Sequence, residues 1–67
     1  MRLTNLREAI SILLDYVDEH THLNGVEDEM VYLAKVDPET MHVSDVSRLT
    51  ALGFVYDDES GWYGLVS

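Results

Sequence analysis

Two histidines and an aspartate stand close together in the first third of the chain. Asp18, His20 and His22 carry the carboxylate and imidazole groups that bind zinc and similar metals. Residues two apart on a helix do not face each other, so these side chains converge only in an extended chain. Histidines near a helix C-terminus can instead interact with the helix dipole. Because a complete ligand set is missing, we predict no bound metal and no cofactor.

Three consecutive acids, Asp57, Asp58 and Glu59, form a second candidate cation site. Calcium needs six or more oxygen ligands from a shaped loop, and this stretch lacks the alternating acids and the glycine of an EF-hand. The chain has no HExxH motif, nucleophile elbow or glycine-rich phosphate loop. We therefore expect a solvated turn here and a protein that is not an enzyme.

The net charge is the strongest chemical feature of the sequence. Thirteen acids against four bases give a net charge of −9 over 67 residues. Nucleic acids and anionic membranes attract clusters of Lys and Arg, so neither is an expected partner. A basic protein surface is the natural complement. The absence of cysteine, of a signal peptide and of a long apolar run predicts a cytoplasmic location.

An amphipathic helix is predicted over residues 5–21, capped by Thr4 or Asn5 and stopped by the Asn24-Gly25 pair. Glu8, Asp15 and Glu19 would form one acidic stripe opposite the apolar face. Ile12 and Tyr16 lie at the edge of this stripe. They would be covered either by a wide sheet or by another chain. The predicted partner-binding residues are Glu8, Ile12, Asp15, Tyr16, Asp18, Glu19, Glu27, Asp28 and Glu29. The alternative is a charged outer face that only keeps the protein soluble.

The rest of the chain predicts a strand over residues 30–36 and a break at Pro38, which suits the first turn of a short helix. A second helix follows, capped by Ser44 and ended by Gly53. A β-hairpin follows over residues 54–66, with a loop of about five residues. The predicted fold is a single α+β domain of order α-β-α-β-β, with helices packed on one face of a three-stranded sheet. Trp62 is expected in the core, and Tyr32 and Tyr63 in the core or at an interface.

Residues 29–67 also resemble a known group of proteins. The segment reads "EMVYLAKVDPETMHVSDVSRLTALGFVYDDESGWYGLVS". Its strand, its "VDPE" break, its capped helix and its "YDDESGWYGLVS" ending resemble short acidic proteins of bacteriophages and prophages. Such proteins often inhibit host defence or host nucleic-acid enzymes. The resemblance implies a phage-type origin and assigns no catalytic residue.

Two functions follow from these features. The first is a non-enzymatic binding protein that covers a basic surface of a host nucleic-acid-handling or defence complex, as an anti-CRISPR protein or a DNA mimic does. The second is a small structural or assembly module, with homodimerisation expected, whose acidity serves solubility alone. Steep salt dependence of binding would favour the first.

Overall fold

A computed structural model describes residues 1–18 and 20–66 of the chain. Its elements are α1 (Leu3–Leu13), β1 (Gly25–Glu27), β2 (Met30–Tyr32), a 3₁₀ helix (Pro38–Thr40), α2 (Val43–Ala51), β3 (Phe54–Asp57) and β4 (Gly61–Leu65). The α+β class is confirmed. The sheet, however, has four antiparallel strands in the order β1-β2-β4-β3, so the prediction of three strands and of the order α-β-α-β-β is wrong.

The unpredicted strand is β1, which pairs with β2 through a short hairpin. With three residues and a single large apolar side chain, β1 is too short to show an alternating pattern. Its turn also lacks the glycine that usually marks a two-residue hairpin loop. Asp28 instead adopts a φ of 55°, in the left-handed region that aspartate tolerates better than most residues. Only the pairing with β2 reveals this strand.

Helix α1 is shorter than predicted: it begins at Leu3 and ends at Leu13. Thr4 and Asn5 lie inside it, and the residue preceding it, Arg2, makes no side-chain cap. After Leu13 the backbone tightens, since Asp15 and Tyr16 donate to carbonyls only three residues earlier. The prediction that Asn24-Gly25 stops this helix is therefore wrong.

In the second half of the chain, the breaks at Pro38 and Gly53 lie where they were predicted. Asp37 Oδ1 accepts a hydrogen bond from Glu39 N at 2.9 Å, and Pro38 opens the 3₁₀ helix as expected. Helix α2 ends before Gly53, whose φ of 100° suits a residue without a side chain. The predicted cap at Ser44 is wrong, because α2 begins at Val43 and Ser44 therefore lies inside the helix.

The core lies between the two helices and one face of the sheet. Side chains from α1, α2, β2, β3 and β4 form one buried cluster, in which Leu49 and Phe54 are the largest fully buried residues. Phe54 faces Gly64 across the ladder, and a Cβ on Gly64 would lie 3.1 Å from the phenyl ring. Gly64 therefore leaves the space that the Phe54 ring occupies.

Trp62 belongs to the core, as predicted, with 2% of its surface exposed. Its indole Nε1 donates to the Val36 carbonyl at 3.0 Å, which satisfies the one polar atom of the buried ring. The Trp62 backbone also bonds with Leu33 and Ala34. These bonds hold residues 33–36 beside β4, although the regular part of β2 ends at Tyr32, four residues short of the predicted strand end.

Candidate functional site

The second face of the sheet is open, and apolar side chains line it. Partners in an antiparallel ladder share a face, and successive residues alternate between faces. Phe54 and Trp62 point into the core, so Val55 and Leu65 point outward, and they are 54% and 55% exposed. The cross-strand partners of the outward positions extend this surface, which we call the open face: Met30, Tyr32, Val55, Tyr63 and Leu65.

Contacts between aromatic rings hold the side chains in the middle of the open face in place. The rings of Tyr32 and Tyr63, which are ladder partners, have centroids 5.5 Å apart. The Tyr32 hydroxyl donates to Met30 Sδ at 3.4 Å. Both tyrosines are half-buried although no helix covers them. Side chains held in this way lose little rotamer freedom when a partner binds, which is a property of interface anchors.

Acidic residues stand at both ends of the open face. The β1–β2 turn carries Asp28 beside Glu27, and the opposite end, at the β3–β4 turn, carries Asp57, Asp58 and Glu59. Glu27 and Glu59 line one surface depression together with Tyr32. The four strands contain no Lys or Arg. Lys35, which follows β2, is the basic residue beside this face: a Cβ on Gly61 would lie 2.8 Å from the Lys35 Cα. The three acids of the β3–β4 turn outnumber it, so both ends of the open face carry more acidic than basic side chains.

Of the predicted partner-binding residues, Glu8 is used within the chain. It accepts two hydrogen bonds from the guanidinium of Arg48 on α2, through Nε and, at 2.9 Å, through Nη2. These bonds lower the pKa of the Glu8 carboxyl. A bidentate Arg–carboxylate pair joins α1 to α2. Glu8 is thus already matched with a positive charge.

Ile12 and Tyr16, predicted as an apolar anchor at the edge of the stripe, pack against the core of their own chain. The Tyr16 hydroxyl donates to Asp45 Oδ2 and accepts a hydrogen bond from the His42 backbone N–H at 3.1 Å. Both partners lie at the start of α2. Contacts within the chain, with its core and with the start of α2, therefore account for the partial burial of these two side chains.

Helix α1 does not carry the predicted acidic stripe beyond Glu8, because it ends at Leu13, before Asp15. Asp15 lies in the turn after the helix and is exposed. Asp18 is exposed too, and its Oδ1 accepts from His20 N at 2.7 Å. Glu19 lies outside the described residues. The remaining predicted acids, Glu27, Asp28 and Glu29, are exposed at the β1–β2 turn, on a different element.

Tyr16 makes the stability of the protein depend on pH in the alkaline range. Its hydrogen bond to Asp45 raises the pKa of the phenol, although the bond from His42 acts in the opposite direction. Unfolded tyrosine ionises near pH 10. Above that pH the unfolded chain releases the Tyr16 proton while the native chain retains it, so the free energy of unfolding falls as pH rises.

We expect Tyr16→Phe to flatten this alkaline fall in stability. The measurement is urea unfolding at a series of pH values from about 8 to 11, followed by Trp62 fluorescence. Asp45→Asn, which keeps an acceptor without the charge, should give an intermediate slope. Tyr56, whose pKa is raised by desolvation and then by nearby acids, remains in each variant and supplies a residual slope. Equal slopes for Tyr16→Phe and the wild type would contradict the assignment to Tyr16.

The histidine segment adjoins an apolar groove. Among residues 1–18 and 20–66, no three His, Asp or Glu side chains are placed to hold a metal ion together. His22 lines a groove of about 230 Å³ with apolar residues, among them Ile10, Leu14 and Leu23. This volume is below the roughly 300 Å³ of typical small-molecule pockets. A wider depression of about 660 Å³ near Tyr32 and Leu65 is open to solvent.

The sequence carries only an incomplete signal for the open face. In "FVYD" and "WYGL", large residues occupy alternate positions on both faces of the strands. Val55, Leu65 and Met30 were therefore missed as candidate site residues, since alternation alone does not say which face a helix covers.

Comparisons of this chain with protein-family models, with curated proteins and with solved structures found no match. In the described part of the chain, no helix combines the length and the apolar character needed to cross a membrane.

Proposed function

We propose that this protein is a non-enzymatic, phage-type binding protein that inhibits a host nucleic-acid-handling or defence complex by covering a basic surface. The observation that carries the proposal is an apolar sheet face that no other element of residues 1–18 and 20–66 covers, with acids at both of its ends and no basic residue in its strands. Exposed apolar surface of this kind is typical of interaction sites. The acids select a basic partner and accelerate association with it.

Nucleic-acid-binding proteins suit this role because they present clustered Lys and Arg to phosphates. Carboxylates can form charge-assisted hydrogen bonds with the same side chains. The resemblance of residues 29–67 to short phage proteins supports the same class of target. Among the predicted acids, Asp15, Asp18, Glu27, Asp28 and Glu29 are exposed, and exposed acids contribute to long-range attraction.

A second candidate function is a homodimeric assembly module. The exposure of Val55 and Leu65 favours it, because a second copy would bury them and enlarge a small core. In that case the acidity would serve solubility alone.

A capture experiment tests the proposal. Tagged protein is incubated with nuclease-treated bacterial lysate and washed from about 0.1 M to about 1 M salt, and retained proteins are identified by mass spectrometry. An unrelated folded protein of the same net charge is the control. We expect a nucleic-acid-binding complex that only this protein retains, that is released as salt rises, and that duplex DNA or RNA displaces.

Two results would refute the proposed inhibitor. One is recovery of the same proteins by the control, which would mean simple ion exchange. The other is recovery of this protein alone, or of a salt-resistant partner with no basic surface, which would favour the assembly module.

A further inference from the structure

The open face has the dimensions of a site for one short helix. Strand β4 has five residues, and at about 3.4 Å per residue it spans about 17 Å. A helix of about 12 residues has nearly the same length, at 1.5 Å per residue. Tyr32 and Tyr63 occupy the middle of this span, between the acidic ends. A ligand that covers the tyrosines therefore comes within reach of both groups of acids.

Charge decides what kind of chain fits there. A second copy stacked face to face would bring acidic ends against acidic ends in either direction, because both ends of the open face are acidic. Each copy also carries a net charge of −9. Like-charge contacts of this kind oppose association. Lys or Arg at the ends of a helix would meet Glu27 and Glu59, and their stems would cover apolar surface.

Resting on the proposed function, we propose that the open face binds an amphipathic, Lys/Arg-rich helical segment of the partner protein. The apolar side of that segment packs on Tyr32, Tyr63 and Leu65. Its basic residues pair with the acids at the two turns, and a cation over a tyrosine ring adds to the attraction. This is the helix-in-groove type of recognition applied to a sheet surface.

Two synthetic peptides of about 12 residues test the proposal without knowledge of the natural partner. One alternates lysine and leucine with helical periodicity; the other has the same lysines with serine in place of leucine. We expect calorimetry to show that the leucine peptide binds about tenfold more tightly. Amide chemical shifts should change at residues 30–32, 55, 63 and 65. Equal affinity for the two peptides would overturn the proposal, because charge alone would then account for binding.

Variants of the protein locate the site. Glu27→Lys with Glu59→Lys should weaken the leucine peptide about tenfold. Glu39→Lys with Ser11→Lys and Ser47→Lys, which raises the net charge equally at exposed residues outside the sheet, should have a much smaller effect. Tyr63→Ser should also weaken binding about tenfold. Leu65→Ser, at a half-exposed position, is the second apolar variant should Tyr63→Ser unfold.

Binding elsewhere would refute this inference. The competing site is the groove beside Ile10, Leu14 and Leu23, and shift changes confined to those residues would place the helix there. Equal weakening by the Glu27→Lys, Glu59→Lys variant and by its charge-matched control would also refute it. Either result leaves the proposed function standing, since that is tested by capture of a salt-sensitive complex. Failure of the capture experiment, in turn, leaves the peptide results unchanged.

Discussion

Replacing Phe54 with alanine should lower the free energy of unfolding by about 3–5 kcal/mol and leave much of the protein unfolded at 25 °C. Phe54 is 1% exposed and lies in the single core cluster. Domains below about 70 residues rarely have more than about 3–5 kcal/mol of stability from one core, so this loss is comparable with the whole. Urea unfolding followed by Trp62 fluorescence and circular dichroism measures it.

Two variants serve as controls for Phe54→Ala. Phe54→Leu keeps much of the buried volume and should cost clearly less. Val55→Ala, at the neighbouring position on the open face, removes a half-exposed side chain and should change stability by less than about 1 kcal/mol. A Phe54→Ala protein as stable as the Val55→Ala protein would mean that Phe54 does not contribute to the core as the structure indicates.

Gly61→Ala is expected to destabilise the protein by about 3 kcal/mol, for two reasons that add. Gly61 has a φ of 83°, which costs an L-residue about 1–2 kcal/mol. A Cβ there would also lie 2.6 Å from the Ala34 carbonyl oxygen. That oxygen accepts the hydrogen bond from Trp62 N, so displacing it disturbs the pairing of residues 33–36 with β4.

Gly53→Ala separates the two causes. Gly53 also has a positive φ, of 100°, but no atom lies within 4 Å of a Cβ placed on it. Gly53→Ala should therefore lower the free energy of unfolding only by the cost of a side chain at positive φ, about 1–2 kcal/mol. The difference between the two variants, measured by the same urea unfolding, reports the clash with Ala34. Equal losses at both positions would show that the backbone at Ala34 moves away without cost.

Phe54→Ala and Gly61→Ala also affect the proposed binding surface, because the sheet is only one layer thick. Phe54 and Val55 are neighbours in β3, yet one fills the core and the other lies on the open face. Gly61 opens the strand that carries Tyr63. A variant that disturbs the core will therefore also disturb the open face, and binding experiments need variants at outward positions that leave the fold intact.

Local residue chemistry was sufficient to predict several elements. Pro38 after Asp37 opens a short helix, and Gly53 ends α2, because the backbone conformations of these residues are restricted or permitted by their own covalent structure. The turn residues between two apolar segments predicted the final hairpin, and the large area of an aromatic side chain in a small core predicted the burial of Trp62. The turn, the short helix and the end of α2 depend on residues that are close in the sequence.

The wrong predictions concern elements whose boundaries depend on residues distant in the sequence. The end of α1 lies next to Tyr16, which is bonded to Asp45 and His42, residues more than twenty positions away. Strand β1 exists through its ladder with β2. Helical periodicity continues past Leu13 in the sequence, so the pattern alone predicted a helix to residue 21 and an acidic stripe along it.

The sequence by itself determined the α+β class, the acidic charge, the second helix and the final hairpin, because composition, periodicity and turn chemistry are local properties. Only the tertiary structure decided which charges are available and which sheet face is open. Glu8 is matched by Arg48 across two helices, and Tyr32 and Tyr63 meet across two strands. Such pairings depend on how the elements pack, and a side chain's exposure is a property of the packed layers rather than of its own strand.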